Sequence, residues 1–339
     1  MNTKSIIMII KPEDFITDEK TNSVFLSTLL PKESSGFPKE ARKNLIEALK
    51  NYFQDKGIHY EELVNTRDVW CRDYMPLQIT KNLFLSYTYN PDYLNDDKYY
   101  ITNWELHKVY SRKSDICRIP HQFLPLILDG GNVIKALNKK GKPTCILCNK
   151  VLNENNVSEV ELEDWWKEYF EDSLELVLLP WEGPEYNPIG HADGIVRYIS
   201  KGKVLMTNYS DYDKKYAEKY RKILESHGFF EVQELEYSKS FSEDDKLWKM
   251  LKQHSWSYIN FLQVGNNILL PKLGYDKLDS MALEQVTKHF GDGFDVEIID
   301  CDMTEIIGGD GNGSNSGGAL NCLTWTISKP WTSLRNSKR

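Results

Sequence analysis

Cys322 opens an apolar run, Leu323-Thr324-Trp325-Thr326-Ile327, directly behind a glycine-rich stretch spanning residues 308–318. A thiol at the mouth of a strand, where glycines let backbone and ligand come close, is well placed to be a nucleophile. Most unpaired cysteines are packing residues, so the thiol alone decides nothing. Three upstream segments add to it: Trp70-Cys71-Arg72-Asp73, Leu128-Asp129-Gly130-Gly131-Asn132 and Gly190-His191-Ala192-Asp193-Gly194. They supply the Asp73, Asp129 and Asp193 carboxylates and the His191 imidazole, each beside small or turn-forming residues. Acids that hold a cation, an imidazole that moves protons and a thiol that attacks carbon suit chemistry on a cationic substrate.

Each residue also has a plainer use. His191-Ala192-Asp193 could be half of a metal site, but no second His or Cys pair sits at ligand spacing, so no metal and no cofactor is expected. Asp129 before two glycines could shape a turn. Asp73 could pair with its neighbour Arg72, and Asn260, in an apolar run, could bond backbone or reach a ligand. Cys145-Ile146-Leu147-Cys148 matches a redox or metal pair by spacing. In a strand, however, residues three apart face opposite sides, so two small apolar fillers are the simpler reading. The stretch Gly309-Asp310-Gly311-Asn312-Gly313 looks like a dinucleotide fingerprint but precedes no helix, so a mobile lid is expected there.

Composition narrows the partners. The 339 residues carry 42 Lys and Arg against 50 Asp and Glu, a net charge of −8, with the two signs interspersed. Without a basic patch, nucleic acid is not an expected partner. Six irregularly spaced cysteines do not form a secreted disulfide framework. The apolar run Ile6–Ile10 is too short for a signal core, and nothing approaches the ~20 apolar residues that span a bilayer. A cytoplasmic protein with a small cationic partner is expected; assembly into a homo-oligomer stays open.

The elements that must position these groups follow one order: two hairpin strands, a helix, a third strand. Gly194–Ser200 and Lys203–Tyr209 read as a hairpin, followed by a helix from about Tyr212 to His227 and the strand Glu231–Tyr237. Ser257–Val264 with Ile268–Leu270, a helix over Lys277–Phe290 and Val296–Ile299 repeat the order. So do Leu126–Ala136, Cys145–Leu152, a helix near Ser158–Phe170 and Leu174–Leu179. Val24–Leu30, a helix over Lys39–Lys56 and His59–Val64 read as the tail of a further unit. Trp70–Ile79 with Leu83–Tyr89 reads as the hairpin of another, and Asn90–His107 as a loop or short helix. The strand Ala319–Ile327 could complete the first unit by closing a ring. An ordinary α/β domain also alternates strands and helices, but in a ring the starts of the first strands, where Asp73, Asp129, His191, Asp193 and Cys322 fall, would converge on one central pocket. No linker divides the chain, so a single domain over residues 1–339 is expected.

These motifs resemble the agmatine deiminase and bacterial peptidylarginine deiminase family, within the guanidine-modifying superfamily. The matching residues are Trp70-Cys71-Arg72-Asp73, Asp129-Gly130-Gly131-Asn132, Gly190-His191-Ala192-Asp193, Ser257-Tyr258-Ile259-Asn260-Phe261 and Gly317-Gly318 leading to Asn321-Cys322-Leu323-Thr324. The resemblance implies an α/β fold, a pseudo-fivefold propeller of ββαβ units (pentein) around a central pocket. It implies hydrolytic deimination of a guanidino compound through a covalent thiouronium on Cys322, with His191 as acid and base. Asp129 and Asp193 would clamp the guanidinium, and Asp73, Trp70, Arg72, Asn260 and Asn321 would line the substrate site. The chain departs from the pattern at Asn321, where relatives commonly carry His, and at Met75, where glycine is usual. Asp129 stands where agmatine-specific members have Glu, which is more like the peptidylarginine type. Agmatine is the favoured substrate, ahead of free arginine or peptidylarginine. An amidinotransferase or an inactive guanidinium-binding protein are the alternatives. If the substrate bears a carboxylate, Arg67, Arg197 and Lys135 are the bases nearest the motifs in sequence.

Overall fold

Apolar residues recurring every fourth position give each long helix one buried stripe. Leu162, Trp166 and Phe170 do this on the helix Glu159–Phe170, which opens with a reciprocal Ser158–Glu161 capping box. Ala217, Tyr220 and Leu224 do it on Lys214–Ser226, capped by Asp213. Leu278, Ala282, Val286 and Phe290 do it on Asp276–Phe290. Together with Lys39–Asp55, these helices begin and end within about two residues of the positions expected from sequence.

The computed structural model describes residues 7–92, 121–183, 189–238, 255–308 and 318–329. Its strands form five three-stranded sheets. One contains β1 (Ser23–Ser27), β2 (His59–Leu63) and the last strand, β15 (Thr324–Ile327). The next holds β3 (Leu77–Thr80), β4 (Leu83–Thr88) and β5 (His121–Ile127), and the third β6 (Ile134–Leu137), β7 (Pro143–Cys148) and β8 (Glu175–Leu179). The fourth holds β9 (Val196–Ser200), β10 (Lys203–Met206) and β11 (Glu231–Glu234), and the fifth β12 (Leu262–Val264), β13 (Asn267–Lys272) and β14 (Asp295–Asp302).

Within every sheet the first strand runs antiparallel to the middle one, and the middle one parallel to the last. A parallel partner needs a crossover, and in four of the five sheets one of the helices described above supplies it. The ring closes where β15 pairs with β1, Val24 opposite Thr326, while Val24 on its other side faces Tyr60 of β2. The chain is thus a pseudo-fivefold α/β propeller whose first module is completed by its C-terminal strand. The core lies between the sheets and their helices, with Leu45, Leu49, Leu269 and Val286 buried in the largest apolar cluster.

The starts of the first strands differ from expectation. Leu126–Ala136 is not one strand: β5 ends at Ile127, a helical turn covers Gly130–Asn132, and β6 begins at Ile134. Trp70–Ile79 and Ala319–Ile327 likewise open with single helical turns, Cys71–Tyr74 and Leu320–Leu323, before β3 and β15. Cys322 therefore sits in a turn ahead of the strand and not on it. Cys145 and Cys148 pack into different apolar clusters, on opposite faces of β7, and burial pushes both thiols up to about 12. They are fillers. The expected lid at 308–318 and the loop at 90–107 fall largely on residues 309–317 and 93–107, outside the described residues. Among the described residues, no helix is long and apolar enough to cross a membrane.

Candidate active site

All five first strands are preceded by a short helical turn: Cys71–Tyr74, Gly130–Asn132, Ala192–Gly194, Ser255–Tyr258 and Leu320–Leu323. Turns this short have no helical stability of their own; side-chain hydrogen bonds between them hold them in place. Asn132 is one such tie. Its amide donates to Cys148 O (3.0 Å) and its carbonyl accepts from Cys148 N (2.7 Å) and Ala192 N (3.2 Å). The Asp129 turn is thereby fixed both to β7 and to the His191 turn. Asn260 is the other, its Oδ1 accepting from Ala319 N (3.2 Å) and Cys322 N (3.3 Å). Of the two uses foreseen for Asn260, the structure shows backbone bonding.

The functional groups meet where these turns meet. Asp193 Oδ2 lies 3.4 Å from Cys322 Sγ and accepts from Asn321 Nδ2 at 2.7 Å. His191 Nε2 is 2.7 Å from Asp129 Oδ2, and its Nδ1 is 3.7 Å from Asp73 Oδ1, which accepts from Gly131 N at 3.0 Å. Which imidazole nitrogen carries a proton is not fixed by geometry alone, but both face carboxylates. Exposure runs from 1% at Cys322 to 6% at His191, so a reacting group here would be removed from bulk water.

Gly131 locates the focus of the site. A Cβ on it would stand 2.5 Å from Asp73 Oδ1, 2.8 Å from His191 Nδ1 and 3.2 Å from Asp193 Oδ2. Two carboxylates and the imidazole therefore close in on the Gly131 backbone, more tightly than any side chain there would allow. Gly131→Ala is expected to lose at least about a hundredfold in kcat/KM, because the methyl would push the Asp73 and His191 side chains out of their positions. Near-normal kinetics in that variant would place the substrate elsewhere.

Electrostatics follow from this crowding. Burial alone would push His191 down, but Asp73, Asp129 and Asp193 outweigh it and hold the imidazole up at about 9. Burial raises Asp73 well above the ordinary carboxylate range, and repulsion from Asp129 and Asp193 adds to it. Burial also raises the Cys322 thiol, again with Asp193 and Asp73 adding. At neutral pH the site holds an imidazolium and a neutral thiol.

The remaining residues divide by position. Trp70 is half-buried against Phe37, ring centroids 5.7 Å apart, and against Gly318, where a Cβ would fall 2.2 Å from its ring. Arg72 does not pair with Asp73: its Nε donates to Asn321 O (3.4 Å) and its Nη2 to Thr326 Oγ1 (3.1 Å). Arg67 is exposed. Arg197 bonds Asp18 Oδ2 at 2.9 Å and Lys135 bonds Gln78 O at 2.9 Å. One acid was missed by the sequence reading. Glu154, beside Lys150 at 3.3 Å, is raised to about 7 by burial and by Asp129. It lies on a helix with no motif around it, so no sequence signal marked it. Among the described residues, no group of three or more His, Cys, Asp or Glu could hold a metal ion.

With fold and site in view, the comparisons place the chain. The model of the Porphyromonas-type peptidyl-arginine deiminase family matches residues 28–327, and the chain belongs to that family. Among solved structures, a C. jejuni agmatine deiminase superposes with a TM-score of 0.67 at 17% identity, covering 93% of this chain and 96% of its own. An Enterococcus faecalis agmatine deiminase gives 0.64 at 16%, covering 96% and 100%. A Pseudomonas aeruginosa DDAH solved with citrulline gives 0.53 at 11%, covering 91% and 99%. At such identities the likeness establishes the pentein fold. No curated protein matches the sequence.

Proposed function

We propose that the chain hydrolyses the guanidinium group of a small cationic compound to a ureido group and ammonia, with agmatine favoured. The observation that supports this reading is the gathering of Asp73, Asp193 and His191 around Gly131, with Asp193 next to the Cys322 thiol. A guanidinium is planar, cationic and offers five N–H donors. Asp73 and Asp193 can each accept from one edge through charge-assisted bonds. Asp129, taken from sequence as a clamp, instead bonds His191, so its role here is to orient the imidazole and keep it charged. Asn321, at the position where relatives have His, holds Asp193.

The chemistry then follows. Arrival of the cation offsets the carboxylates that keep Cys322 protonated, and the thiol gives its proton to solvent water, leaving the thiolate. Sγ attacks the central guanidinium carbon, and the His191 imidazolium gives its proton to the departing nitrogen, which leaves as ammonia. The neutral imidazole next takes a proton from water as that water adds to the thiouronium carbon. Collapse breaks the C–S bond while the hydroxyl proton passes to the leaving sulfur, restoring the Cys322 thiol and releasing the ureido product, and the proton first given to water makes the ammonia ammonium. One guanidinium and one water become one urea derivative and one ammonium.

Ammonia release measured over agmatine, arginine, guanidino acids and Arg-containing peptides tests the reading. The expected result is turnover with agmatine ahead of arginine. Arginine differs by a carboxylate, and Arg197 and Lys135, the bases nearest the motifs, are engaged by Asp18 and by Gln78 O. Preference for peptides would make this a peptidylarginine deiminase. Tight binding with no ammonia from any compound would make it a binder and overturn the proposal.

A further inference from the structure

Asn321, next to the thiol in sequence, also lines a cavity of ≈ 20 Å³, room for about one water-sized centre. Its lining includes three cationic side chains, Arg72, Lys135 and Arg197, against one carboxylate, Asp18. The Arg197 side chain is 1% exposed. Its Nη2 bonds Asp18 Oδ2 at 2.9 Å, while its Nη1 is buried without a hydrogen-bond partner among the described residues. The guanidinium cannot swing away, because it lies over the Phe261 ring, 4.4 Å from the centroid. Among the described residues, Arg72 and Lys135 bond neutral oxygens, those of Asn321, Thr326 and Gln78.

We infer that this cavity is a binding site for a monatomic anion of the halide class, coordinated by Arg197 Nη1 with the Arg72 and Lys135 cations around it. Charge bookkeeping favours an anion over water. Three cations and one carboxylate leave an excess of positive charge in a confined space, and uncompensated buried charge is costly. A water would satisfy the Nη1 hydrogen but leave the charge. Although partly exposed by area, Lys135 is crowded enough that burial, against the pull of Asp18, brings it down to about 8. The next acid along, Glu19, adds to the field at Lys135 from outside the lining, and burial raises its own carboxyl. It is a weak substitute for an anion in the cavity. Larger anions such as phosphate do not fit the volume.

The test reads anion binding itself and so needs no turnover. Crystals soaked in bromide are expected to show an anomalous peak within hydrogen-bonding range of Arg197 Nη1. In solution, Tm should rise with chloride relative to gluconate at equal ionic strength, by about 2 °C for each tenfold increase above Kd. Lys135→Met should flatten that dependence, and Lys135→Arg, which keeps the charge, should retain it. A peak together with halide-dependent Tm establishes the site. No bromide at Arg197 under saturating soak, or a Tm indifferent to halide in the wild-type protein, means a water there and overturns the inference.

Discussion

Cys322→Ala is expected to reduce ammonia release by roughly 10⁴–10⁶-fold while the protein still binds its guanidino substrate through Asp73 and Asp193. Cys322→Ser should fare no better. A thiol is raised here by burial and by Asp193 and Asp73, and those same forces act on a hydroxyl whose alkoxide is far harder to form. The bound cation offsets the two carboxylates enough to ionise a thiol, not an alcohol. Calorimetry of the inactive variant with agmatine, beside ammonia release, separates binding from chemistry. Activity within about tenfold of wild type in either variant would remove Cys322 from the bond-forming step. A loss of binding in step with activity would mean that the thiol, not the acids, holds the substrate.

The long helices were legible because burial writes itself into sequence: Leu162, Trp166 and Phe170 stand four apart and face one way. Ring closure was legible because the first module lacked a strand and the chain ended in one. The turns that carry the site were not. Cys71–Tyr74 and Leu320–Leu323 are one turn long, too short to show a period, and their conformation depends on ties such as Asn260 to Cys322 N, made across 62 residues. The same distance effect hid the partner of Asp129. Sequence could show that a carboxylate belongs at the site, but not that Asp129 bonds His191, a contact made across the fold. Arg197 and Lys135 misled for the opposite reason. They lie within a few residues of the motifs, yet they follow β9 and β6 to the cavity that Asn321 also lines.

That reassignment of Asp129 predicts a change in pH dependence rather than in affinity. His191 must be protonated to expel ammonia, and its neighbours hold it charged up to about 9. The sign is direct: carboxylates favour the imidazolium and raise the pKa, so removing one lowers it. On binding, the incoming cation and the newly formed thiolate cancel to first order, and the alkaline limb of kcat should therefore fall near the same value. Asp129→Asn deletes one charged hydrogen bond, worth about 1.5–3 kcal/mol. At 1.36 kcal/mol per unit the limb should move down by about 1–2 units, while Asp73 and Asp193 keep it from falling further. His191→Ala, which has no acid at all, should lose about 10²–10⁴-fold at every pH. Substrate Kd, read in a Cys322→Ser background, should barely change in Asp129→Asn. It should weaken tenfold to a hundredfold in Asp73→Asn or Asp193→Asn, where a guanidinium edge loses its charged partner. An unmoved limb with a weakened Kd in Asp129→Asn would return Asp129 to the role of clamp and leave His191 without its orienting acid.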